Sequence, residues 1–550
     1  MNKKFSSFPI LFALLALLIG TCAVVFPASA QATPTSTGSI TVSGTVTSSY
    51  RAYQIFSANV VDGDGDAKIA TDLAWASDAA RDAVLPVLHS AGMPKSQTTA
   101  REAAEWLNAD SHLTSALSAQ LARSLQSSGV EPVPLNAGTT AELPCGYWLI
   151  VADDEAISQN EAGTAPIMAL VGAAAVTVKP KAATPKVQKH VLEDSTAAWG
   201  KAADATVGDD LYWRLSATVP AGLTAYDTYA VRFVDTMSAG LDPSKVAASM
   251  RVCAAAGADG GFDAVQTGKD GRADTEPAKG WTDITAQCRV SVDGKTFTVR
   301  TGDLIAALGG ADAFTAGARV VAVYDAPLGA NCNRGATKGN PNEVYLRYPR
   351  SPFADQSGDA GFTRTPSDDA CAYTWGLSLI KRSSSDDKPI AGAKLRIIDD
   401  RGRILTTDGS WSTDADACVT TGADGHVELT GADADVYTVE EIAAPKGYTA
   451  FGGKRTVTVT AEGLDVKQVA AAKPKVTVSV ESPLRVDAAD AGTGSIELSV
   501  LNTPSKEVSR GIMPSTGDRT LVLVAALAAI GVAAIVVAFV IKRGGGRREK

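Results

Sequence analysis

The sequence predicts a mainly β protein of tandem immunoglobulin-like β-sandwich domains, with a helical insertion in the N-terminal domain and a C-terminal transmembrane helix. Segments such as 40–46 (ITVSGTV) and 176–178 (VTV) alternate apolar and small polar residues, as strands with one buried face do. Strands of this length pack as two-sheet sandwiches. A chain of 550 residues, 45% of them hydrophobic, is long enough for several such cores. The uninterrupted apolar stretch 521–541 is long enough to cross the roughly 30 Å hydrocarbon core of a bilayer.

The first 30 residues have the pattern of a signal peptide. Lys3 and Lys4 precede an apolar run over 8–26, and Ala28 and Ala30 complete a small-x-small cleavage motif. We therefore expect residues 1–30 to be removed during export.

A short motif precedes the predicted span and consists of Met513, Pro514, Ser515, Thr516 and Gly517. Five basic residues follow the span, and the positive-inside rule keeps them in the cytoplasm. This order resembles the cell-wall sorting signal of Gram-positive surface proteins, whose motif is usually Leu-Pro-x-Thr-Gly. The resemblance implies that the sorting signal covers 513–550. The resemblance implies that a sortase cysteine attacks the Thr516 carbonyl and forms an acyl-enzyme. A membrane-anchored ectodomain with a chance Pro-Ser-Thr-Gly turn is the alternative.

The charge of the chain excludes some classes of partner. The net charge is −9, and it becomes −15 for 31–516, because eight basic and two acidic residues lie outside that part. A surface of this sign repels phosphates, so no nucleic-acid or anionic-lipid partner is expected. Four histidines and the absence of a Cys-x-x-Cys pair argue against metal and thiol redox chemistry. We predict no metal and no cofactor.

The mature part divides into three predicted domains and a linker. Domain 1 covers 31–181 and carries the helical stretch, over about 77–125. Domain 2 covers 182–373 and consists of alternating strands with glycine-rich turns. Domain 3 covers 374–503 and is a shorter all-β unit, and 504–512 is a linker.

Domain 3 carries a specific motif, YTVEEIAAPKGY at 437–448. It resembles the E-box of Cna B-type domains, Tyr-x-Leu-x-Glu-Thr-x-x-Pro-x-Gly-Tyr. The segments LIK (379–381) and VLN (500–502) resemble the first and last strands of that family. The resemblance implies that Lys381 and Asn502 join as an isopeptide, helped by Glu441.

Strand alternation tests this assignment independently. Successive side chains point to opposite faces of a sheet, so Lys381, Glu441 and Asn502 each share a face with apolar neighbours and point into the core. Buried polar groups are costly unless they satisfy one another. Burial lowers the pKa of an amine and raises that of a carboxyl, which favours a neutral lysine nucleophile and a protonated acid. A buried salt bridge with a hydrogen-bonded amide is the alternative.

Domain 2 repeats this pattern in three segments: PKVQKHV (185–191), FVDTMSAGL (233–241) and NPNEVYLRY (340–348). They resemble, in order, the elements of the fimbrial isopeptide-forming (Cna A-type) domain. The resemblance and the same alternation assign Lys189 to Asn342, with Asp235 as the proton shuttle. Asn340 has the same parity as Asn342 and is the fallback acceptor. An ordinary surface role for the three residues is the alternative.

Domain 1 offers no such pair, because the two lysines between residues 31 and 178, Lys68 and Lys95, lie outside apolar alternating strands. Its acidic turn at 62–66 lacks the glycine and glutamate that an EF-hand loop requires, so a solvated turn is favoured over a calcium site.

The end of domain 1, VTVKPK at 176–181, resembles the pilin motif Trp-x-x-x-Val-x-Val-Tyr-Pro-Lys. Gly172 stands in the Trp place and Lys179 in the Tyr place. The resemblance implies that Lys181 is the nucleophile that joins subunits, with Lys179 and Lys186 as substitutes. An exposed lysine is otherwise a solvated charge.

Six cysteines remain in the mature chain. An even number in an exported protein indicates disulfides, although six cysteines allow fifteen pairings. Cys253 and Cys288 are the best local candidates because both fall inside domain 2.

Together these resemblances imply a non-enzymatic backbone subunit of a wall-anchored surface pilus. Its expected partners are pilin-specific and housekeeping sortases, other copies of itself, minor or tip pilins and peptidoglycan, with host receptors or glycans as further candidates. A wall-anchored monomeric adhesin that binds a host ligand is the alternative.

Overall fold

A computed structural model describes residues 36–43, 49–62, 68–109, 112–180, 183–264 and 277–505. The predicted signal peptide, Lys181 and the sorting signal lie outside these residues, as does most of the linker. No helix in the described part of the chain has the length and hydrophobicity that crossing a membrane requires. The predicted span over 521–541 falls outside that part.

The predicted mainly β architecture of tandem domains is confirmed. Domain 1 has two sheets, in the strand orders β5-β1-β8 and β3-β2-β6-β7, with β4 beside β2. These strands are β1 Thr37–Val42, β2 Ser49–Asp62, β3 Lys68–Trp75, β4 Val133–Asn136, β5 Thr140–Pro144, β6 Gly146–Ala152, β7 Ile167–Val171 and β8 Val176–Val178.

The predicted helical stretch consists of three separate helices: α1 Asp78–Ser90, α2 Ala100–Asn108 and α3 Ser115–Gln126. Ser77, Thr99 and Thr114 cap their N-termini through side-chain oxygens. Gly92, at φ 111°, follows α1 and turns the chain away from the helical direction.

Domain 2 is a sandwich of a β10-β9-β12-β18-β14-β15 sheet and a β11-β21-β19-β13-β17-β16 sheet, with β20 beside β19. Its elements are β9 Lys186–Glu193, β10 Ala198–Gly200, β11 Ala202–Asp204, β12 Tyr212–Val219, β13 Arg232–Met237, α4 Val246–Ser249, β14 Arg251–Ala256, β15 Thr282–Asp283, β16 Arg289–Asp293, β17 Thr296–Arg300, α5 Leu304–Ala307, β18 Ala318–Asp325, β19 Asn340–Pro349, β20 Phe362–Arg364 and β21 Asp368–Tyr373.

Domain 3 is a sandwich of a β27-β22-β33-β29 sheet, with β32 beside β33, and a β25-β24-β23-β28-β30-β31 sheet, with β26 beside β23. Its strands are β22 Trp375–Ser383, β23 Lys394–Ile398, β24 Ile404–Leu405, β25 Trp411–Ser412, β26 Val419–Thr420, β27 His426–Ala432, β28 Val436–Ala443, β29 Tyr448–Thr449, β30 Lys454–Glu462, β31 Lys475–Val480, β32 Leu484–Asp490 and β33 Ser495–Pro504. Short 3₁₀ helices in the three domains are Asp154–Ala156, Leu223–Ala225, Pro243–Lys245, Thr285–Gln287, Ala311–Phe314 and Val469–Ala471.

Domain 2 contacts both of its neighbours. Phe353 packs against the core of domain 1, and the Tyr348 hydroxyl donates a hydrogen bond of 2.8 Å to the Glu161 carbonyl oxygen. On the other side, the Trp375 indole N–H donates to Asp204 Oδ2 at 2.6 Å. These contacts tie the sandwiches to one another at both ends of domain 2.

Candidate functional site

The site in domain 3 lies where its first and last strands meet. β22 and β33 run parallel, with Lys381 opposite Val500 and Ser383 opposite Asn502. Lys381 and Asn502 therefore come from neighbouring strands of one sheet. Glu441 comes from β28 of the facing sheet, so the three side chains meet inside the sandwich.

The geometry of this site brings the amine to the amide. Lys381 Nζ donates to Asn502 Oδ1 at 2.5 Å and to Glu441 Oε2 at 3.1 Å. Asn502 Nδ2 donates to Glu441 Oε1 at 2.7 Å. The Glu441 carboxylate thus bridges the two groups, and the Phe451 backbone N–H donates to its Oε2 at 3.0 Å.

The Lys381 amine and its two partners are shielded from water. The side chains of Lys381 and Glu441 are fully buried, as is Asn502, and the Phe451 ring centroid lies 4.7 Å from Nζ. Burial lowers the pKa of Lys381, against the opposing effect of the Glu441 charge. A lowered pKa increases the fraction of neutral amine, which is the nucleophilic form.

The site in domain 2 spans both sheets of its sandwich. Lys189 lies on β9 of one sheet, while Asp235 on β13 and Asn342 on β19 belong to the other. β13 and β19 are paired, with Asp235 opposite Val344 and Met237 opposite Asn342. Lys189, Asp235 and Asn342 are all fully buried, and the Lys189 amine contacts Asp235 Oδ2.

Tyr324 on β18 is a member of this site that the sequence analysis missed. Its hydroxyl lies 2.8 Å from Lys189 Nζ, 3.0 Å from Asp235 Oδ2 and 2.9 Å from Asn342 Nδ2. A buried tyrosine normally has a partner for its hydroxyl, but nothing in the sequence marked Tyr324 as a member of the site. Tyr324 is fully buried.

The pKa shifts in domain 2 favour neutral groups. Burial lowers the pKa of Lys189 to about 8, and burial raises the pKa of Asp235. In each case the charge of the partner opposes the shift. A neutral amine beside a protonated acid is therefore closer in free energy to the ion pair than it is in water.

Asn340, the fallback acceptor, is engaged elsewhere. Its Oδ1 accepts from the Asn333 backbone N–H at 2.8 Å, and its Nδ2 donates to the carbonyl oxygens of Asn333 and Ala372 at 2.8 and 3.2 Å. The Asn340 side chain therefore holds the loop at Asn333 in place. The Asn342 amide and the Lys189 amine instead both donate hydrogen bonds to the Tyr324 hydroxyl.

The structure describes two of the three candidate linker lysines. Lys179 follows β8 and is exposed, and Lys186 at the start of β9 is exposed as well. Lys181 lies outside the described residues.

In domain 1 the acidic turn falls mostly within the undescribed 63–67, and the described residues contain no group of three or more metal-ligating side chains.

The structure contains no disulfide among the six cysteines of its described residues, so the pairing of Cys253 with Cys288 is not confirmed. Cys253 is buried on β14, and Cys288 follows a backbone segment joined to that strand through Ile284 N–H and Val252 O at 2.9 Å. Burial raises the pKa of both thiols to about 11. A disulfide between them stays a prediction.

A family model matches part of domain 3. Residues 376–473 match the model described as SpaA, prealbumin-like fold domain. Over these residues, domain 3 is similar to the prealbumin-like domains of that family. No curated protein matches the sequence. The matched residues contain Lys381 and Glu441, while Asn502 lies beyond them.

Several solved pilin structures are similar to the chain. The T6 backbone pilin of serotype M6 Streptococcus pyogenes is 16% identical over 85% of this chain and 98% of its own, with a TM-score of 0.47. The full-length major pilin SpaD of Corynebacterium diphtheriae is 16% identical over 86% and 99%, with a TM-score of 0.42. The full-length major pilin RrgB of Streptococcus pneumoniae is 14% identical over 68% and 85%, with a TM-score of 0.37.

Proposed function

We propose that this chain is the structural backbone subunit of a covalently polymerised cell-surface pilus, stabilised by internal Lys–Asn isopeptide bonds. The observation that carries the proposal is that two successive domains each hold a fully buried lysine with a carboxyl and an asparagine amide. Burying such a set without covalent use is costly. Two independent sets in tandem suit a subunit that must resist pulling along its length.

In domain 3, neutral Lys381 attacks the Asn502 side-chain carbonyl carbon. The Nζ–Cγ bond forms, the Cγ–Nδ2 bond breaks, and one amine proton passes through Glu441 to the leaving nitrogen, which departs as ammonia. The 2.7 Å contact between Glu441 and Asn502 Nδ2 supports this proton transfer. The reaction occurs once per domain, so the chain modifies itself without being an enzyme in the usual sense.

Domain 2 forms the second bond, between Lys189 and Asn342, with Asp235 as the proton shuttle. The two lysines share the conditions that the reaction requires: full burial and a lowered pKa. The bond joins β9 to β19 and therefore links the two sheets of the sandwich.

Polymer growth joins Thr516 of one exported subunit to Lys181 of the next. A pilin-specific sortase carries the Thr516 acyl group to the Lys181 amine, and a housekeeping sortase transfers the finished fibre to peptidoglycan, with minor or tip pilins added by the same chemistry. The exposed Lys179 immediately after β8 supports an accessible exit from domain 1. Contact between two different surfaces propagates as an open filament.

The test is a ladder of high-mass species in wall extracts boiled in detergent. We expect the ladder in wild type and its loss in Lys181→Ala. Lys179→Ala, which removes an exposed lysine two residues away, is the matched control and keeps the ladder. Monomers attached only to wall peptide in wild type would overturn the proposal in favour of a wall-anchored adhesin.

A further inference from the structure

The two candidate sites use carboxylic acids of different length. In the domain 3 site, Glu441 reaches both reacting groups by itself, because one of its oxygens accepts from Lys381 Nζ and the other from Asn502 Nδ2. Asp235 is one methylene shorter. Its Oδ2 contacts Lys189 and Tyr324, while its Oδ1 has no hydrogen-bond partner. Within the described residues, no hydrogen bond joins Asp235 to Asn342.

Tyr324 occupies the gap between Asp235 and Asn342. A hydroxyl group has one proton to donate and two lone pairs that accept. The Tyr324 hydroxyl uses all three, accepting from Lys189 Nζ and Asn342 Nδ2 and donating to Asp235 Oδ2. These partners are the nucleophile, the acid and the leaving group of the cross-linking reaction.

We propose that Tyr324 is a catalytic residue of cross-linking in domain 2, relaying a proton from Asp235 to the leaving nitrogen of Asn342. This inference rests on the proposed function. As the neutral Lys189 amine forms the Nζ–Asn342 Cγ bond, the Tyr324 hydroxyl gives its proton to Asn342 Nδ2 and receives the proton of protonated Asp235. The Asp235 carboxylate that results takes one proton from the former amine nitrogen. The Cγ–Nδ2 bond breaks, ammonia leaves, and Tyr324 and Asp235 end in their starting protonation states.

The setting of Tyr324 suits a relay. Its ring packs edge-on against Phe297, with centroids 4.8 Å apart, and β18 holds it opposite Trp213 of β12. The ring packing and the strand register together hold the phenol ring, and with it the oxygen, in place. Burial also raises the pKa of Tyr324 well above its ordinary value, so the phenol keeps the proton that the relay needs.

The test compares rates of bond formation in the full chain made by cell-free translation, sampled over time. Mass spectrometry measures the branched peptides that contain Lys189–Asn342 and Lys381–Asn502. Tyr324→Phe keeps the ring but removes the hydroxyl, and we expect it to slow the domain 2 bond about 100-fold, a typical effect of losing a general acid. The Lys381–Asn502 bond of the same molecule is the internal control and forms at the wild-type rate.

A rescue variant separates relay from structural support. Asp235→Glu combined with Tyr324→Phe lengthens the acid so that it spans the site as Glu441 does, and we expect at least a tenfold recovery of the rate lost in Tyr324→Phe, which is within the usual contribution of general acid catalysis. A structural role for the hydroxyl predicts no recovery, because the hydroxyl is still missing.

The outcomes distinguish this inference from the proposed function. A wild-type chain without the Lys189–Asn342 bond would overturn the proposed domain 2 chemistry and the relay with it. If the Lys189–Asn342 bond forms in wild type and forms equally fast in Tyr324→Phe, the relay alone is overturned. A slow single variant without rescue would also overturn the relay and assign Tyr324 to support of the fold.

Discussion

The Lys381 amine lies 2.5 Å from the Asn502 amide oxygen, although 121 residues separate the two along the chain. They stand on β22 and β33, the first and last strands of domain 3, which run parallel. A bond between them closes a loop around nearly the whole domain. Tension entering at Trp375 would then pass along β22 to Lys381 and leave directly through Asn502, without acting on the strands between them.

Loss of Glu441 should prevent the bond in domain 3 alone. Glu441→Gln removes the group that accepts the amine proton, so the intact protein should be heavier than wild type by one ammonia molecule, apart from the substitution itself. Intact-mass measurement checks this. Glu440→Gln is the matched control, because Glu440 is half-buried and pairs with Arg396 on the other side of the strand. Equal retention of ammonia in the two variants would contradict the role of Glu441.

The same variant should lower the stability of domain 3. In the chain-entropy model, a covalent link that closes a loop of this length stabilises the folded state by about 5 kcal/mol. We expect Glu441→Gln to unfold at a lower denaturant concentration than Glu440→Gln, as followed by hydrogen exchange of the backbone amides of β22 and β33. Coincident unfolding curves would show that no such link contributes.

The two asparagines of β19 should behave differently. Asn342→Ala removes the proposed acceptor and should abolish the Lys189 cross-link, whereas Asn340→Ala should leave the cross-link intact and loosen the loop at Asn333. Peptide mapping of the two variants checks the assignment. A cross-link that survives in Asn342→Ala and disappears in Asn340→Ala would reverse it.

Strand alternation predicted that the lysine, carboxyl and asparagine side chains of each candidate site are buried. On β9, Val187, Lys189 and Val191 are buried while Lys186 and Gln188 are exposed, so one polar residue among inward apolar ones marks the position. Alternation could not separate Asn340 from Asn342, because both are buried and have the same parity. The difference depends on the loop at Asn333, which contacts only one of them.

Tyr324 could not be found in this way. Nearly every residue of β18 is buried, so the strand has no polar face that would mark which side chains point into the sandwich. Its position opposite Trp213 depends on the register of β12 and β18, which the sequence does not specify. The separation of the helical stretch into three helices was missed for a more local reason, since it depends on Gly92 and on the caps at Thr99 and Thr114.

The junction between domains 2 and 3 should depend on pH. Glu193 accepts from the Asp204 backbone N–H at 3.1 Å, and Asp204 accepts from the Trp375 indole of domain 3. Burial and the Asp204 charge raise the pKa of Glu193 to about 7, and burial raises that of Asp433 well above its ordinary value. The other charged groups around the adjoining cleft are Asp194, Asp209, Asp210, Asp399, Asp400, Arg401, Arg403 and Asp435.

Proton binding determines whether this group makes the folded state more or less stable as pH rises. A raised pKa means that the folded state holds more protons than the unfolded state, so this contribution to stability is complete below the unfolded pKa, near 4.5 for Glu193, and is lost as pH rises through about 7. Glu193→Gln stays neutral at every pH. We expect the melting temperature of the variant, relative to wild type, to rise between pH 5 and pH 8. His190, whose pKa burial lowers to about 4, acts in the opposite direction but equally in both proteins.

The most direct test of the account is tandem mass spectrometry of fibres purified from the cell wall and digested with protease. We expect a branched peptide in which the Thr516 carboxyl is joined to the Lys181 amine of another copy, together with the two internal branched peptides at Lys189–Asn342 and Lys381–Asn502. A junction at Lys179 or Lys186 would correct the linking residue. Thr516 joined only to wall peptide would contradict the claim that this chain forms the shaft of a pilus.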